Sequence, residues 1–419
     1  MGSSPPDRGA RPLAGVRVLE LGNYIAAPTA GRMLADFGAD VIKVERPEGG
    51  DELRRWRLAE GDTSLLYRAI NRGKRSVALD LRTEPGRALA LELAARSDVV
   101  LENFRPGTLE RWGLGPSDLR AANPEVVLVR ISAYGQTGPY RDRPGFGAIA
   151  EAVGGLRELT GDADRVPVRT GVSLADSLAG IYAVAGAVMC LFRRERRRGA
   201  AEPVAGEEFP DLVDVALHEA VFSLTESLLP DFEAYGVRRE RLGGRMEGVA
   251  PSNAYPCGDE RTVVVAGNGD SIFRRFMTVI GRSDLADRAD LAANDGRWQA
   301  RDELDDAIAK WTLSLDSEAV LARLEEAGVP AGRIYRADDI ARDPQYAERG
   351  MVQRFDVRAG DRVLEGVGFP GIVPRIGGHN AEIASLGPDL GAHTREVLGE
   401  LLGVGGREID ELEREGVLR

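Results

Sequence analysis

The chain is short of the side chains that most enzymes use to move protons or hold metals. Among 419 residues there are three histidines, His218, His379 and His393, and two cysteines, Cys190 and Cys257. His218 falls in an apolar helical stretch and reads as a core residue. His379 and His393 lie in loop-like segments near the end. The cysteines have no metal-type spacing, so no metal site and no disulfide framework are expected, and the setting reads as reducing and cytoplasmic. Positive charge is also scarce. Lysine and arginine total 55 against 67 acidic residues, a formal net charge of -12. That balance excludes diffuse attraction to nucleic acid or to an anionic membrane, although local arginines can still hold a phosphorylated small molecule. Long apolar runs are missing too. Ala179 to Phe192 stops short of the roughly 20 residues a membrane span needs, and "RRERRR" closes it. It reads as a buried helix with a solvated basic end. The opening "MGSSPPDRGARP" has no apolar signal core, and residues 1–10 are expected to be a disordered tail.

What is present in the first half is alternation. "VRVLEL" (Val16 to Leu21) and "DVIKVE" (Asp40 to Glu45) read as strands around an amphipathic helix that runs through Phe37, with Pro28 in its first turn. "SVALDL", "DVVLEN" and "EVVLVRIS" read as further strands, with the helix "EPGRALALELAARS" between the first two. Strand–helix alternation predicts an α/β domain with a doubly wound, mostly parallel sheet, Rossmann-like in outline. The first turn, "ELGNYIAAPTAG", lacks the G-x-G-x-x-G glycines, so a dinucleotide oxidoreductase is not expected. There is no Walker A, no G-x-S-x-G and no H-E-x-x-H.

The predicted organisation is a large domain over 11–220, a linker over 221–245 and a smaller α+β domain over 246–332. A return segment over 333–419 then completes the large domain. Arg194 to Phe209 reads as a charged loop. "LVDVALHEAVFSLTESLL" reads as a strand and helix, "TVVVAG" as a strand, and helices are predicted near Ile272–Ile280, Ala300–Leu313 and Ser317–Ala327.

One acid stands out. In "RTGVSLADSLAGIYAVAGAV", Asp176 is the single carboxylate in a helix-like stretch of small and apolar residues. Taken alone it also reads as a helix-capping or surface aspartate. Poor solvation raises the reactivity of such a carboxylate and also its pKa. A carboxylate that is ionised at neutral pH can act as a nucleophile without a histidine base.

The stretches "LAGVRVLELGNYIAAPTAGRMLADFGADVIKVERPEGGDELRRW", "NRGKRSVALDL", "DVVLENFRPGTLERWGL", "NPEVVLVRISAYGQTGPY", "GVSLADSLAG" and "AGVPAGRIYRADDIARDPQYAERGMV" resemble the family III CoA-transferases. This is the group of formyl-CoA transferase and carnitine CoA-transferase. The resemblance implies that Asp176 is a nucleophile that carries first an acyl group and then CoA. It implies CoA contacts at Ile25, Ala26, Arg46, Leu79, Arg82, Asn103, Phe104, Arg105 and Arg111. No permanently bound cofactor and no metal are implied, with CoA and acyl-CoA serving as substrates. Phe146 is implied in the substrate pocket. Gly243 and Gly244 are implied in a glycine loop over the site, and an ordinary linker is the alternative reading of that loop. The family forms interlocked homodimers. The sequence departs from formyl-CoA transferase at Ile25, where that enzyme has glutamine, and at Phe146 and Gly147, where it has tyrosine and an acid. Formyl or oxalyl specificity is therefore not carried over. The later stretch "GVAPSNAYPCGDERTVVVAGNGDSIFRRFM" is most similar to transferases of succinyl-CoA and other dicarboxylates, with Arg245, Arg274 or Arg275 as candidate partners for a distal carboxylate. Two other readings stand beside this one. A 2-methylacyl-CoA racemase shares the fold but pairs its aspartate with a histidine where this chain has Phe146, which cannot move a proton. A non-catalytic CoA-binding protein is the third.

Overall fold

The computed structural model describes residues 11–61, 63–197, 209, 211–377 and 381–419. The tail expected at 1–10, His379 and most of the charged loop expected at 194–209 lie outside them. The described chain forms two compact units. One comprises residues up to Gly155, Thr170–Thr225 and Pro344–Arg419, and the other Leu156–Arg169 and Glu226–Asp343.

The first unit contains, in chain order, β1 (Arg17–Glu20), α1 (Ala26–Asp36), β2 (Asp40–Glu45), β3 (Arg75–Ala78), α2 (Glu84–Ala95), β4 (Val99–Glu102), β5 (Val127–Ser132), α3 (Gly147–Val153), α4 (Leu174–Arg197), β6 (Leu212–Ala216) and α5 (Leu217–Phe222). The six strands form one sheet in the order β3-β2-β1-β4-β5-β6, and every pairing is parallel. Parallel strands covered on both faces read as nearly continuous apolar runs, which is why the sequence signals them clearly. From β1 the chain winds one way to β3, and from β4 it winds the other way to β6. The crevice at the carboxyl ends of β1 and β4 is therefore the place where such a sheet binds ligands. Leu19, Ile42, Val77, Val100 and Leu128 pack with Leu89 and Leu93 of α2 and with Val397, Leu398 and Ile409 from the end of the chain. Thr83 starts α2 by accepting the Gly86 N–H at 3.1 Å, and Pro85 occupies its first turn.

Helix α4 corrects two expectations. It spans 24 residues and begins at Leu174, so Asp176 sits in its first turn rather than in its interior. It also runs on to Arg197, where a loop was expected from Arg194. By length and composition alone it could cross a membrane, a possibility hidden when only unbroken apolar runs are counted. Here it lies in the first unit, with Ala175, Ala179, Gly180, Ala183 and Ala187 buried and its length packed against α1 and β5. The small side chains let the helices approach closely. Only that face is buried; Ile181, Met189 and Phe192 are exposed.

In the second unit, α6 (Leu228–Tyr235) precedes an antiparallel sheet of β7 (Ser252–Pro256), β8 (Thr262–Ala266) and β9 (Ala331–Arg333), with β8 in the middle. Helices α7 (Asp270–Val279), α8 (Arg301–Leu313) and α9 (Ser317–Glu326) cover it around Tyr255, Val263, Phe273, Phe276, Ile308 and Leu324. The expected linker at 221–245 instead holds α6 and clusters with this unit from Glu226 onward. The excursion Leu156–Arg169 belongs here too, because Gly243 donates to the Gly161 carbonyl at 3.0 Å and Arg241 pairs with Glu158 at 2.9 Å. These are long-range contacts that no local pattern announces. The chain returns to the first unit at Pro344, later than the expected residue 333. The return segment then forms a long hairpin, β10 (Val352–Ala359) and β11 (Arg362–Pro370), and ends in α10 (Gly406–Arg414).

Candidate active site

At the carboxyl ends of β1 to β4 the first unit opens a cavity of about 370 Å³. Leu21, Asn23 and Tyr24 line it from the turn after β1, Val44, Glu45 and Arg46 from the end of β2, and Leu79 to Arg82 from the stretch after β3. Glu52, Phe104 and Trp112 complete the lining. The Phe104 and Trp112 rings meet edge to face, 5.2 Å between centroids. Two arginines face this space, each already paired. Arg46 contacts Glu52 at 2.5 Å and the Gly50 carbonyl at 3.0 Å, while Arg82 grips Asp80 through two hydrogen bonds of 2.9 and 2.7 Å. The Arg82 guanidinium holds the Asp80 carboxyl below its ordinary range.

Of the residues named from the sequence as CoA contacts, Arg46, Leu79, Arg82 and Phe104 line this cavity. The other five do not. Asn103 ties the two turns of the crevice together, accepting the Asn23 N–H and donating to the Asn23 carbonyl, each at 2.8 Å. Ile25 and Ala26 are buried where α1 starts, Ile25 against Leu53 and Tyr67. Arg105 and Arg111 are exposed, and their guanidinium groups donate to the Asp142 carbonyl at 3.5 Å and to Thr108 Oγ1 at 3.0 Å.

Asp176 is half-buried at the third position of α4. A helix start favours negative charge through its unpaired N–H groups and its dipole, and Asp176 stands in such a first turn. Its Oδ2 lies directly over Gly147, the first residue of α3: a Cβ there would stand 2.1 Å from it. Phe146, beside Gly147, packs on Tyr24 with 6.1 Å between centroids, and Tyr24 packs in turn on Trp56 at 5.5 Å. One ring, Tyr24, thus reaches from the cavity to the neighbour of the glycine beneath Asp176. The helix start carries a legible signal: Ser173-Leu174-Ala175-Asp176 has the S-x-x-D spacing of an opening turn.

The profile of CoA-transferase family III matches residues 13–394. The chain belongs to this family. It is 43% identical over 398 residues to the succinyl-CoA–D-citramalate CoA-transferase of Chloroflexus aurantiacus, covering 95% of this chain and 96% of that protein. It is 35% identical to the succinate–glutarate CoA-transferase of Agrobacterium fabrum, covering 93% and 96%. The crystal structure of a CAIB/BAIF family protein from Brucella suis superposes with a TM-score of 0.80 at 33% identity, covering 93% of this chain and 99% of that one. The family III CoA-transferase described here is therefore an enzyme that moves CoA from an acyl-CoA thioester to a free carboxylic acid.

The sequence reading missed the buried ion network under the transferase's crevice. Lys43 bridges Glu20 at 3.1 Å, Asp51 at 3.0 Å and the Gly22 carbonyl at 2.7 Å, and Lys74 contacts the same Glu20 at 2.6 Å. Burial alone would lower the Lys43 pKa, but Asp51 and Glu20 raise it above its ordinary value. For Lys74 burial prevails and lowers the pKa to about 8. Gly31 of α1 is needed here, since a Cβ would stand 1.8 Å from Glu20 Oε2. Beside this network, Glu45 accepts two hydrogen bonds from Arg54, at 2.8 and 2.7 Å, and others from Tyr67 at 2.8 Å and Ser76 at 2.7 Å. At the end of β4, burial pushes Glu102 up to about 7 despite Arg130 at 2.6 Å. The signal was available as charged residues inside strands: Glu20 in "VLEL", Lys43 and Glu45 in "IKVE", Arg130 in "LVRIS".

Burial opposes ionisation of Glu45, but the hydrogen bonds and charge of Arg54, helped by Lys43 and Ser76, lower its pKa to about 2. A carboxyl with a depressed folded-state pKa contributes stability above its unfolded pKa, and that contribution is lost as pH falls through the folded value. The transferase is expected to lose thermal stability as pH drops from about 4.5 towards 2. Glu45→Gln is expected to lower stability at pH 7 by about 3–5 kcal/mol and to flatten the acid limb, measured as Tm against pH. An unchanged acid limb in the variant would show that Glu45 does not govern it.

The remaining residues named from the sequence lie elsewhere. His218 Nδ1 contacts the Ala133 carbonyl at 3.1 Å, and His393 Nδ1 accepts the Ser76 N–H at 3.2 Å. In the second unit, a Cβ on Gly243 (φ +64°) would stand 3.0 Å from Asp162 Oδ1 and one on Gly244 would stand 2.5 Å from Asn253 Oδ1. Arg245 pairs with Asp302 and Asp305, both at 2.7 Å. Arg275 donates to the Ala327 and Gly328 carbonyls, and Arg274 is exposed.

Proposed function

We propose that this transferase takes CoA from succinyl-CoA to a second carboxylic acid of dicarboxylate type, with Asp176 as a covalent relay. The observation that carries this reading is the placement of Asp176 on its glycine seat, one aromatic contact away from the cavity at the switch point of the sheet. The cavity takes the CoA moiety, with Arg46 and Arg82 exchanging Glu52 and Asp80 for its phosphates. The Asp176 carboxylate adds to the thioester carbonyl, the C–S bond breaks, and CoA thiolate leaves a mixed anhydride. The thiolate attacks the aspartyl carbonyl and releases the donor acid, leaving an aspartyl-CoA thioester. The acceptor carboxylate attacks that thioester to form a second anhydride. The thiolate then attacks the acceptor's acyl carbon, which restores Asp176. Each step replaces one activated acyl group by another, so no ATP is consumed.

The choice of succinyl-CoA is supported by the similarity to succinyl-CoA and succinate CoA-transferases and by the stretch Gly248 to Met277. The exposed apolar residues Ile181, Met189 and Phe192 on α4 support the homodimer expected from the family. The two unpaired cysteines support a reducing, cytoplasmic setting, and the charge of -12 supports small-molecule partners rather than nucleic acid.

The test is to incubate the protein with succinyl-CoA and, separately, D-citramalate, L-malate, glutarate and oxalate, reading CoA esters by mass spectrometry. Transfer to at least one dicarboxylate, at a rate at least about tenfold above background hydrolysis, is the expected outcome. Exchange of an α-proton of a 2-methylacyl-CoA in deuterated water, without any CoA transfer, would replace this reading by the racemase.

A further inference from the structure

Tyr24 combines four properties that the fold alone does not require. Its backbone is left-handed, φ 63°, a conformation that bulky residues rarely adopt and that clusters at functional sites. That conformation is held from below: the Tyr24 N–H donates to Asp51 Oδ1 at 3.1 Å, and the buried Asp51 is itself anchored by the Leu53 N–H at 3.0 Å and by Lys43. The ring lines the cavity on one side and packs on Phe146, next to the seat of Asp176, on the other. Its phenol, half-buried, makes no hydrogen bond among the described residues, whereas buried tyrosine hydroxyls ordinarily find a partner.

We infer that Tyr24 is a further substrate-contacting residue of the transferase, standing where the CoA cavity meets the nucleophile and donating a hydrogen bond to the thioester oxygen as Asp176 attacks. This rests on the covalent reading given above. Hydroxyl donors aimed at an oxygen that gains charge stabilise the transition state more than the bound substrate. Burial, with Glu52 and Asp51 nearby, raises the phenol's pKa, which keeps the proton on the donor. The phenol keeps that proton throughout; it polarises the carbonyl and takes no part in bond making. The buried Asp51–Lys43 pair serves to hold the turn in the one conformation that aims the ring.

Tyr24→Phe tests this, because it keeps the ring and its packing and removes only an oxygen that has no hydrogen-bond partner among the described residues. Expected are an unchanged Tm, a KM for succinyl-CoA within about twofold of wild type, and a kcat about 10²-fold lower. Stopped-time mass spectrometry should show CoA accumulating on Asp176 more slowly by a similar factor. Tyr24→Ala, which also opens the wall, should raise KM as well. If wild type acquires CoA on Asp176 and Tyr24→Phe does so at the same rate, the role of Tyr24 is overturned while the covalent reading stands. If wild type never acquires CoA on Asp176, both fall.

Discussion

Asp176→Asn is expected to abolish CoA transfer, lowering kcat by at least about 10³-fold, with a Tm within a few degrees of wild type. The substitution keeps the size and shape of the side chain at the third position of α4. It removes the negative charge to which the proposed attack on the thioester is assigned. Loss of the favourable interaction with the helix start costs only about 0.3–1 kcal/mol, so the fold is retained and the effect is chemical. Two measurements decide the matter. Steady-state transfer from succinyl-CoA gives the rate, and intact-protein mass spectrometry with hydroxylamine or borohydride trapping reports whether residue 176 carries an acyl group or CoA. A variant that turns over at the wild-type rate, or a wild type that is never marked at this residue, removes Asp176 from the reaction.

Gly147→Ala should separate activity from stability in the same way without altering Asp176 itself. A Cβ at this position would stand 2.1 Å from Asp176 Oδ2, well inside contact distance. The obstructed atom is the end of a side chain, so the carboxylate turns away rather than the backbone moving. Alanine is also the better helix former at the start of α3. The expected outcome is a Tm equal to or slightly above wild type and a kcat about 10²-fold lower, since displacing a reacting group by an ångström costs that much. A crystal structure of the variant should show the Asp176 rotamer changed. Full activity in Gly147→Ala would mean that the carboxylate does not react from this position.

These two residues mark the limit of what the sequence shows. The apolar runs of β1 to β5 announce parallel strands, and residues that follow such strands fall at the ligand crevice by geometry. Arg46, Leu79, Arg82 and Phe104, named from the resemblance, lie in such positions and line the cavity. Asn103, Arg105 and Arg111 follow the same rule, yet the structure turns them to other partners, because a side chain's direction depends on contacts up to 80 residues away. The location of Asp176 inside a long apolar stretch concealed that a helix begins two residues before it, although Ser173 stands at the spacing of an opening turn. Gly147 could be read only as the loss of an acid until the structure placed the carboxylate on top of it. The excursion Leu156–Arg169 was invisible for a different reason: its partners near Gly243 lie about 80 residues along the chain.

The pairing of Arg46 with Glu52 and of Arg82 with Asp80 has a consequence for how the crevice responds to its surroundings. Each guanidinium carries a tethered counterion, so the crevice need not recruit dissolved anions. A phosphate entering as proposed would swap one anion for another and set few small ions loose. Added salt would screen the internal pair and the incoming ligand alike, and grip on the ligand is expected to decline less steeply with ionic strength than two bare arginines would dictate.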